Sequence, residues 1–313
     1  MSKGEPILKY KQMPAVHKVA FFLARQGFRG SNWIWFLACL LKRIPNGHVQ
    51  LPTGFILCVD DMDFSAKAIY RGWYENGILE LLERLRIQHQ FVDVGANLGL
   101  LSFHAVRYST GIPIAFEPIQ ENVDKILASY QLMNRTINLY KIAISDSKGT
   151  AVIFGSNNPS HSGAASLVNA EMESSTTVEV QTDTLDGILL GLLTTSCFIK
   201  VDCEGGEHLV LSGAKTLFLK NAIKGLIVEV NPGVASIDYL GKIFAQFPIP
   251  FQAFFVREKK NIFIRKTIFV PFFPMDIGSI ECQENVVFLS GRDLDRFYKI
   301  VKRDRLSRFF LLR

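Results

Sequence analysis

Phe91-Val92-Asp93-Val94-Gly95-Ala96-Asn97-Leu98-Gly99 (FVDVGANLG) is the stretch that decides how this 313-residue chain is read. A short apolar run carries an acid near its end, glycines follow that acid at the second and sixth positions, and a helical pattern begins behind them. Such a segment is a strand turning sharply into a helix, because a side chain at Gly95 or Gly99 would obstruct a ligand or the closely packed helix. A dinucleotide fingerprint has a glycine where Asp93 stands and leaves the helix N-terminus free for pyrophosphate. The acid instead favours a ligand without phosphate that carries a positive charge.

Outward from this turn the chain alternates between short apolar runs and helical segments. Strand Phe91–Val94 leads to helix Leu98–Arg107, strand Ile112–Phe116, helix Asn122–Met133 and strand Asn138–Ala143. Candidate strands Thr150–Phe154 and Val178–Gln181 flank a polar segment, read as an inserted loop near the ligand. The alternation resumes with helix Thr184–Leu193, strand Cys197–Val201, helix Glu207–Phe218 and strand Gly225–Val230, while Phe251–Val256 and Asn285–Leu289 are placed to close the sheet. Parallel strands joined by right-handed crossovers follow from this order, so the expected fold is α/β and Rossmann-like, with a mostly parallel seven-stranded sheet and helices on both faces.

Glu117 stands at the end of the second strand, about 20 residues beyond the first turn, where nucleoside-binding α/β folds place the acid that holds ribose hydroxyls. Together with Asp93 it points to S-adenosylmethionine, whose α-ammonium suits an acidic turn and whose sugar suits a bidentate carboxylate. The bland reading makes Asp93 a helix cap and Glu117 a loop acid; the register between them argues against it.

These residues and the motifs around them resemble the FkbM family of S-adenosylmethionine-dependent methyltransferases, across about Gly72 to Gly233. The resemblance rests on Trp73-Tyr74-Glu75, VDVGANLG at Val92–Gly99, FEP at Phe116–Pro118, AISDSKG at Ala143–Gly149, TLD at Thr184–Asp186, IKVDCEGGE at Ile199–Glu207 and IVEVNPG at Ile227–Gly233. It implies methyl transfer to a hydroxyl of a sugar, glycolipid or secondary metabolite. The expected cofactor contacts are Asp93, Gly95, Ala96, Asn97, Gly99, Glu117, Pro118, Ala143 and Ile144.

A sulfonium is already an activated donor, so holding nucleophile and methyl in line supplies most of the catalysis, and a hydroxyl also benefits from losing its proton. The groups for that task belong at the carboxyl ends of the strands. Asp202 is the favoured base or orienting acceptor; Glu204 is a second candidate, and both are acids that could instead cap the following helix. His161, in the inserted loop, is a third candidate base. A further reading places a divalent metal such as Mg²⁺ on Asp202, Glu229 and Asn231, hard oxygen ligands at neighbouring strand ends.

Composition bounds the rest. Five cysteines lie scattered without a CxxC pair or metal spacing, which suggests neither a disulfide framework nor a zinc site and fits a reducing cytoplasm, and Met1–Pro6 has no signal-peptide pattern. Of the formal net charge of +6, the segment Arg292–Arg313 holds +5, so the remainder of the chain sums to near neutrality. Nucleic acid is therefore disfavoured as a partner, as is a nucleic-acid methyltransferase, the first alternative function. A binding protein that kept the fold is the second. Three units are expected: an N-terminal helical and hairpin extension over 1–70, the catalytic domain over 71–291, and a basic amphipathic helix over 292–313. The apolar run Trp33–Leu41 is about half the length a membrane span requires. With the basic C-terminal stripe it offers a peripheral membrane contact to a chain otherwise expected to take a small-molecule, glycan or lipid-linked hydroxyl acceptor.

Overall fold

The computed structural model describes residues 7–26, 28, 30–41, 47–58, 64–156, 175–230, 251–260, 265–272, 284–303 and 310–311. The chain begins with a 3₁₀ turn and two helices, α1 (Ala15–Arg25) and α2 (Ser31–Leu41), then a hairpin of β1 (His48–Gln50) and β2 (Ile56–Cys58). Helices α3 (Phe64–Arg71) and α4 (Asn76–Leu85) lead into β3 (Gln90–Val94). The α/β alternation then runs α5 (Leu100–Ala105), β4 (Ile114–Phe116), α6 (Gln120–Leu132), β5 (Asn138–Tyr140), β6 (Ala143–Ile144), β7 (Gly149–Ser156) and β8 (Ser175–Asp183). It continues with α7 (Leu185–Leu192), β9 (Cys197–Val201), α8 (Glu207–Ser212), α9 (Lys215–Leu219), β10 (Ile223–Val230), β11 (Gln252–Lys260), β12 (Arg265–Phe272), β13 (Glu284–Leu289), α10 (Gly291–Arg303) and β14 (Phe310–Leu311).

The main sheet has the order β14-β12-β11-β13-β10-β9-β3-β4-β5. From β5 to β10 all neighbours are parallel, and β13 runs antiparallel between β10 and β11. The expected seven strands are β5-β4-β3-β9-β10-β13-β11; β12 and β14 extend that edge to nine. The class is thus the α/β, Rossmann-like one expected. Three finer expectations change. The strand expected over Asn138–Ala143 divides, with Ala143–Ile144 joining β7 and β8 in a separate three-stranded sheet. The helix expected over Glu207–Phe218 breaks into α8 and α9 at Gly213-Ala214. The helix expected over 292–313 ends at Arg303, and Phe310–Leu311 pairs with β12 instead; Phe309 and Leu312 of its expected stripe lie outside the described residues.

The period of two along each buried strand feeds two cores. Phe91, Phe198, Ile227, Phe254 and Val287 face one side, beneath α1–α6 and α10. Val92, Ile199, Val228, Phe255 and Val286 face the other, beneath α7–α9. The N-terminal segment is built into the first core through Ala20, Phe21, Trp35 and Tyr70, and α3 spans the boundary expected at residue 70. α10 is docked as well. Phe297 is fully buried with ring centroids 4.7 Å from Phe254 and 5.1 Å from Phe269, and Arg296 Nη1 donates to the Leu85 and Arg86 carbonyls at 2.7 Å.

Candidate active site

β3 lies between β4, which leads away to β5, and β9, which leads away to β10, so chain direction across the sheet switches at β3. A crevice forms at the carboxyl ends of strands flanking such a point. Here it is a cavity of about 530 Å³ lined at the strand ends by Val94 and Gly95 (β3), Phe116 and Glu117 (β4), Asp202 (β9) and Glu229 (β10). Phe64, Ser65 and Ala68 of α3, Trp73-Tyr74-Glu75, Asn97, Pro118, Ile119, Asn122, Ile142, Ala143, Ile144, Ile153, Cys203 and Glu204 complete it.

The turn after β3 is shaped mainly by the protein's own packing. A Cβ on Gly95 (φ +77°) would lie 1.8 Å from the Asp202 carbonyl oxygen, and one on Gly99 (φ +74°) would press on Ile126 and Tyr130 of α6 at 3.3 Å. The amides of Gly95 and Ala96 both donate to Phe116 O, at 3.0 and 3.1 Å. Asp93 corrects the expectation of an acid facing the ligand: it is buried behind the turn and is not part of the lining. Its Oδ2 accepts from the Ser102 hydroxyl at 2.7 Å and the Ser102 amide at 3.2 Å, tying the strand to α5. Ala96 and Gly99 likewise sit outside the lining, whereas Gly95, Asn97, Glu117, Pro118, Ala143, Ile144, Asp202, Glu204 and Glu229 are all in it. His161 and Asn231 lie outside the described residues.

Glu117 is held in place from three sides. Its Oε2 accepts from the Asn97 amide at 2.8 Å, and its Oε1 from the Ile119 amide at 3.1 Å and Asn122 Nδ2 at 3.3 Å. Burial pushes its pKa up to about 7 against the pull of those hydrogen bonds. Asn97 in turn donates from Nδ2 to Ser65 Oγ at 3.0 Å, fastening α3 to the turn.

Across the strand ends lies a group that sequence reasoning did not anticipate. Lys200, in the middle of β9 and 1% exposed, sends Nζ to Asp202 Oδ2 at 2.6 Å and Glu75 Oε1 at 3.2 Å. The available signal was a lysine within the apolar run Cys197–Val201, since a charge on a strand buried on both faces needs partners. Burial works to raise the pKa of Asp202, but the Lys200 charge and hydrogen bonds from Glu229 and Lys200 bring it below the usual carboxylate range. Glu229, buried beside the ionised Asp202, is driven far upward, so this pair carries one proton at neutral pH. Burial and the Asp202 charge push Glu204 up to about 7. The N-cap of α8 is Gly206, with no side-chain cap; Glu207, the first residue of the helix, turns back to brace the preceding loop, its Oε1 accepting from the Cys203 and Gly205 amides. Three non-glycine lining residues, Glu75, Asn97 and Glu204, adopt left-handed conformations (φ 44°, 52° and 49°). Such strain collects at functional sites.

Asp202, Glu204 and Glu229 bring carboxylate oxygens within 4.8 Å of one another, a spacing a divalent ion can use. The cluster already contains a cation, however, because the Lys200 ammonium occupies the Asp202 carboxylate at 2.6 Å. The donor set therefore does not favour Mg²⁺. It does favour a ligand rich in donors: Glu75 Oε2, Asn97 Oδ1, Asn122 Oδ1 and Glu229 Oε2 are buried acceptors of lining residues with no hydrogen-bond partner among the described residues.

Residues 93–244, just under half the chain, match the family model described as the methyltransferase FkbM domain. No curated protein matches the sequence. Among solved structures, methyltransferase FkbM from Methylobacillus flagellatus KT is similar at 13% identity and a TM-score of 0.39, over 83% of this chain and 71% of that one. The human methyltransferase 10 domain containing protein gives 10% identity and a TM-score of 0.39, over 83% and 96%. TrmK of M. capricolum, solved with S-adenosyl-homocysteine, gives 10% and 0.36, over 68% and 66%.

Proposed function

We propose, from the match of residues 93–244 to the methyltransferase FkbM domain, that this chain is a methyltransferase of that kind and moves the methyl group of S-adenosylmethionine to a hydroxyl of a sugar, glycolipid or secondary metabolite. The observation that carries the reading is the single cavity at the strand switch, which gathers Asn97 and Glu117 with the Asp202–Glu229 pair. In this reading Glu117 holds the ribose hydroxyls, Ile119, Ala143 and Ile144 give the base an apolar berth, and the acid-rich, donor-poor wall suits the sulfonium and the α-ammonium. Bound S-adenosylmethionine supplies an activated methyl group.

Asp202 is the residue for the acceptor. It is ionised, backed by Lys200, and accepts a hydrogen bond from protonated Glu229, so its carboxylate is fixed before a substrate arrives. From there it orients the acceptor hydroxyl and takes its proton as the oxygen attacks the methyl carbon and the C–S bond breaks. Its depressed pKa makes it a better orienting group than base, and Glu204, with a pKa near 7, is the stronger proton acceptor of the two.

The test is calorimetric titration with S-adenosylhomocysteine, followed by transfer of labelled methyl from S-adenosylmethionine to fractionated extract. Binding without transfer to any fraction would favour a non-enzymatic role for the fold. A labelled nucleic-acid fraction would replace the small acceptor with the alternative substrate, and no binding at all would overturn the reading.

A further inference from the structure

The helices that precede the catalytic domain carry a second face. α1 turns His17, Ala20, Phe21 and Ala24 inward, and α2 turns Ser31, Trp35 and Ala38 inward. His17 joins the two layers, Nε2 donating to the Ala38 carbonyl at 3.2 Å and Nδ1 accepting the Tyr70 hydroxyl at 2.9 Å. The opposite side of α2 presents Trp33, Phe36, Leu37 and Leu40 at the i, i+3, i+4, i+7 spacing of one helical stripe, with Trp33 74% and Leu40 67% exposed. Val19 and Phe22 of α1 are exposed too. The eleven residues of α2, SNWIWFLACLL, contain no charge.

An apolar stripe on the outside of a helix that already buries its other side lacks the polar face of an ordinary surface helix. No helix among the described residues is long and apolar enough to cross a membrane. The charge in the sequence around the stripe points to what covers it, Arg25 apart, which turns inward to donate to Asn76 Oδ1 at 2.8 Å. From Pro6 to Val59 the sequence has seven basic residues, Lys9, Lys11, Lys18, Arg25, Arg29, Lys42 and Arg43, and no aspartate or glutamate. Residues 1–59 hold eight basic groups and one acid, a net of +7, and residues 292–313 hold +5, so residues 60–291 carry −6 of the total +6. The near-neutral remainder expected from composition is therefore a strongly basic N-terminal segment set against an acidic catalytic domain.

We propose that the outer face of α1 and α2 docks on the surface of an anionic phospholipid bilayer. Tryptophan and phenylalanine settle at the headgroup boundary, and flanking lysine and arginine bind anionic headgroups; together these are the two signals a stable peripheral attachment requires. The location serves the site. α1 and α2 stack on α3 through Tyr70, and α3 forms part of the cavity wall with Phe64, Ser65 and Ala68, Phe64 itself being 64% exposed at the start of that helix. On the methyl-transfer reading above, this places the mouth of the cavity beside the headgroups and selects acceptors anchored in lipid.

The experiment is flotation of the full chain with vesicles of phosphatidylcholine alone and of phosphatidylcholine with one third phosphatidylglycerol, with tryptophan emission recorded in parallel. Binding to the anionic vesicles that weakens with salt, with a blue shift of Trp33 emission, is expected. The double variant Trp33→Ser/Phe36→Ser should lose about tenfold or more of that binding and all of the shift, with an unchanged melting curve because both side chains point outward. Lys9→Glu/Lys11→Glu should weaken binding to anionic vesicles and leave any residual binding to neutral ones unaltered. Absence of binding, or binding indifferent to both variants, would overturn the proposal. So would a dimer, seen by light scattering, that the Trp33→Ser/Phe36→Ser variant dissociates while vesicle binding is absent. None of these readouts depends on methyl transfer, so failure here and failure of the proposed activity are separable.

Discussion

The carbonyl oxygen of Asp202 occupies the space in which a side chain on Gly95 would begin, 1.8 Å from the position of its Cβ. The first strand's turn and the fourth parallel strand's end are therefore fitted to each other backbone to backbone, and Asp202 is positioned by a glycine on a different crossover. Gly95→Ala should destabilise the fold by about 3 kcal/mol or more, since the clash is with main chain and φ is positive. Gly99→Ala, whose contacts at 3.3 Å are with side chains of α6, should cost about 1–2 kcal/mol and still bind S-adenosylhomocysteine. Urea unfolding of both variants checks the order.

Lys200 is the electrostatic centre of the site. Removing its charge in Lys200→Met strands the Asp202 and Glu75 carboxylates in a buried pocket and should cost about 3–5 kcal/mol of stability. Lys200→Met/Asp202→Asn should recover part of that loss. A double-mutant cycle in urea that returned simple additivity would show the two residues to be uncoupled.

Glu117→Gln keeps the shape of the side chain but removes the charge that its amide donors and a ribose would share. Affinity for S-adenosylhomocysteine should fall by at least tenfold, about 1.4 kcal/mol, in a calorimetric titration. At pH 8 the variant should unfold at a temperature no lower than the parent, because the carboxylate it replaces is buried with its pKa raised to about 7.

That sign extends to the other buried glutamates of the site, Asp202, held low by Lys200, being the opposite case. Glu117 and Glu204 rise to about 7 and Glu207 to about 6, each chiefly through burial, while an unfolded glutamate titrates near 4.5. Between those values the folded protein binds more protons than the unfolded one, so stability from these groups is fully present below about pH 4.5 and is lost as pH rises through 6 to 7. The ligand-free protein should melt at a higher temperature at pH 5.5 than at pH 8, and S-adenosylmethionine should narrow the gap. A melting temperature that climbs with pH across this window would contradict the burial of these acids.

Asp202→Asn should reduce kcat by about 10²-fold or more with little change in S-adenosylhomocysteine affinity, as expected for a group that acts on the acceptor hydroxyl. Chelation with EDTA should leave turnover unaltered, since Lys200 supplies the local positive charge.

What the sequence revealed was what depends on neighbours along the chain. The strand-turn-helix at Phe91–Gly99, the placement of Glu117 after the next strand, and Asp202 at the end of Cys197–Val201 are local patterns, and the cavity gathers the lining residues they led to. Asp93 misled because an acid next to a glycine turn reads the same whether it faces a ligand or a hydroxyl such as Ser102, which lies nine positions on in the first turn of α5. Lys200 and Glu75 form a site only when the residue that precedes α4 is brought over β9, and no local pattern encodes that meeting. The edge strand β12 was missed because Arg265-Lys266 and Pro271 interrupt its apolar alternation, while Phe310–Leu311 is too short to signal a strand without the neighbour that pairs with it.

The bond from Asn97 to Ser65 has a bearing on how this protein is handled in the laboratory. Trimming the chain to the segment 93–244 that matches the methyltransferase FkbM domain would take away α3 and, with it, one bank of the cavity. What is left would be a bowl without its rim, and a failed assay on so shortened a protein would say nothing about the intact one.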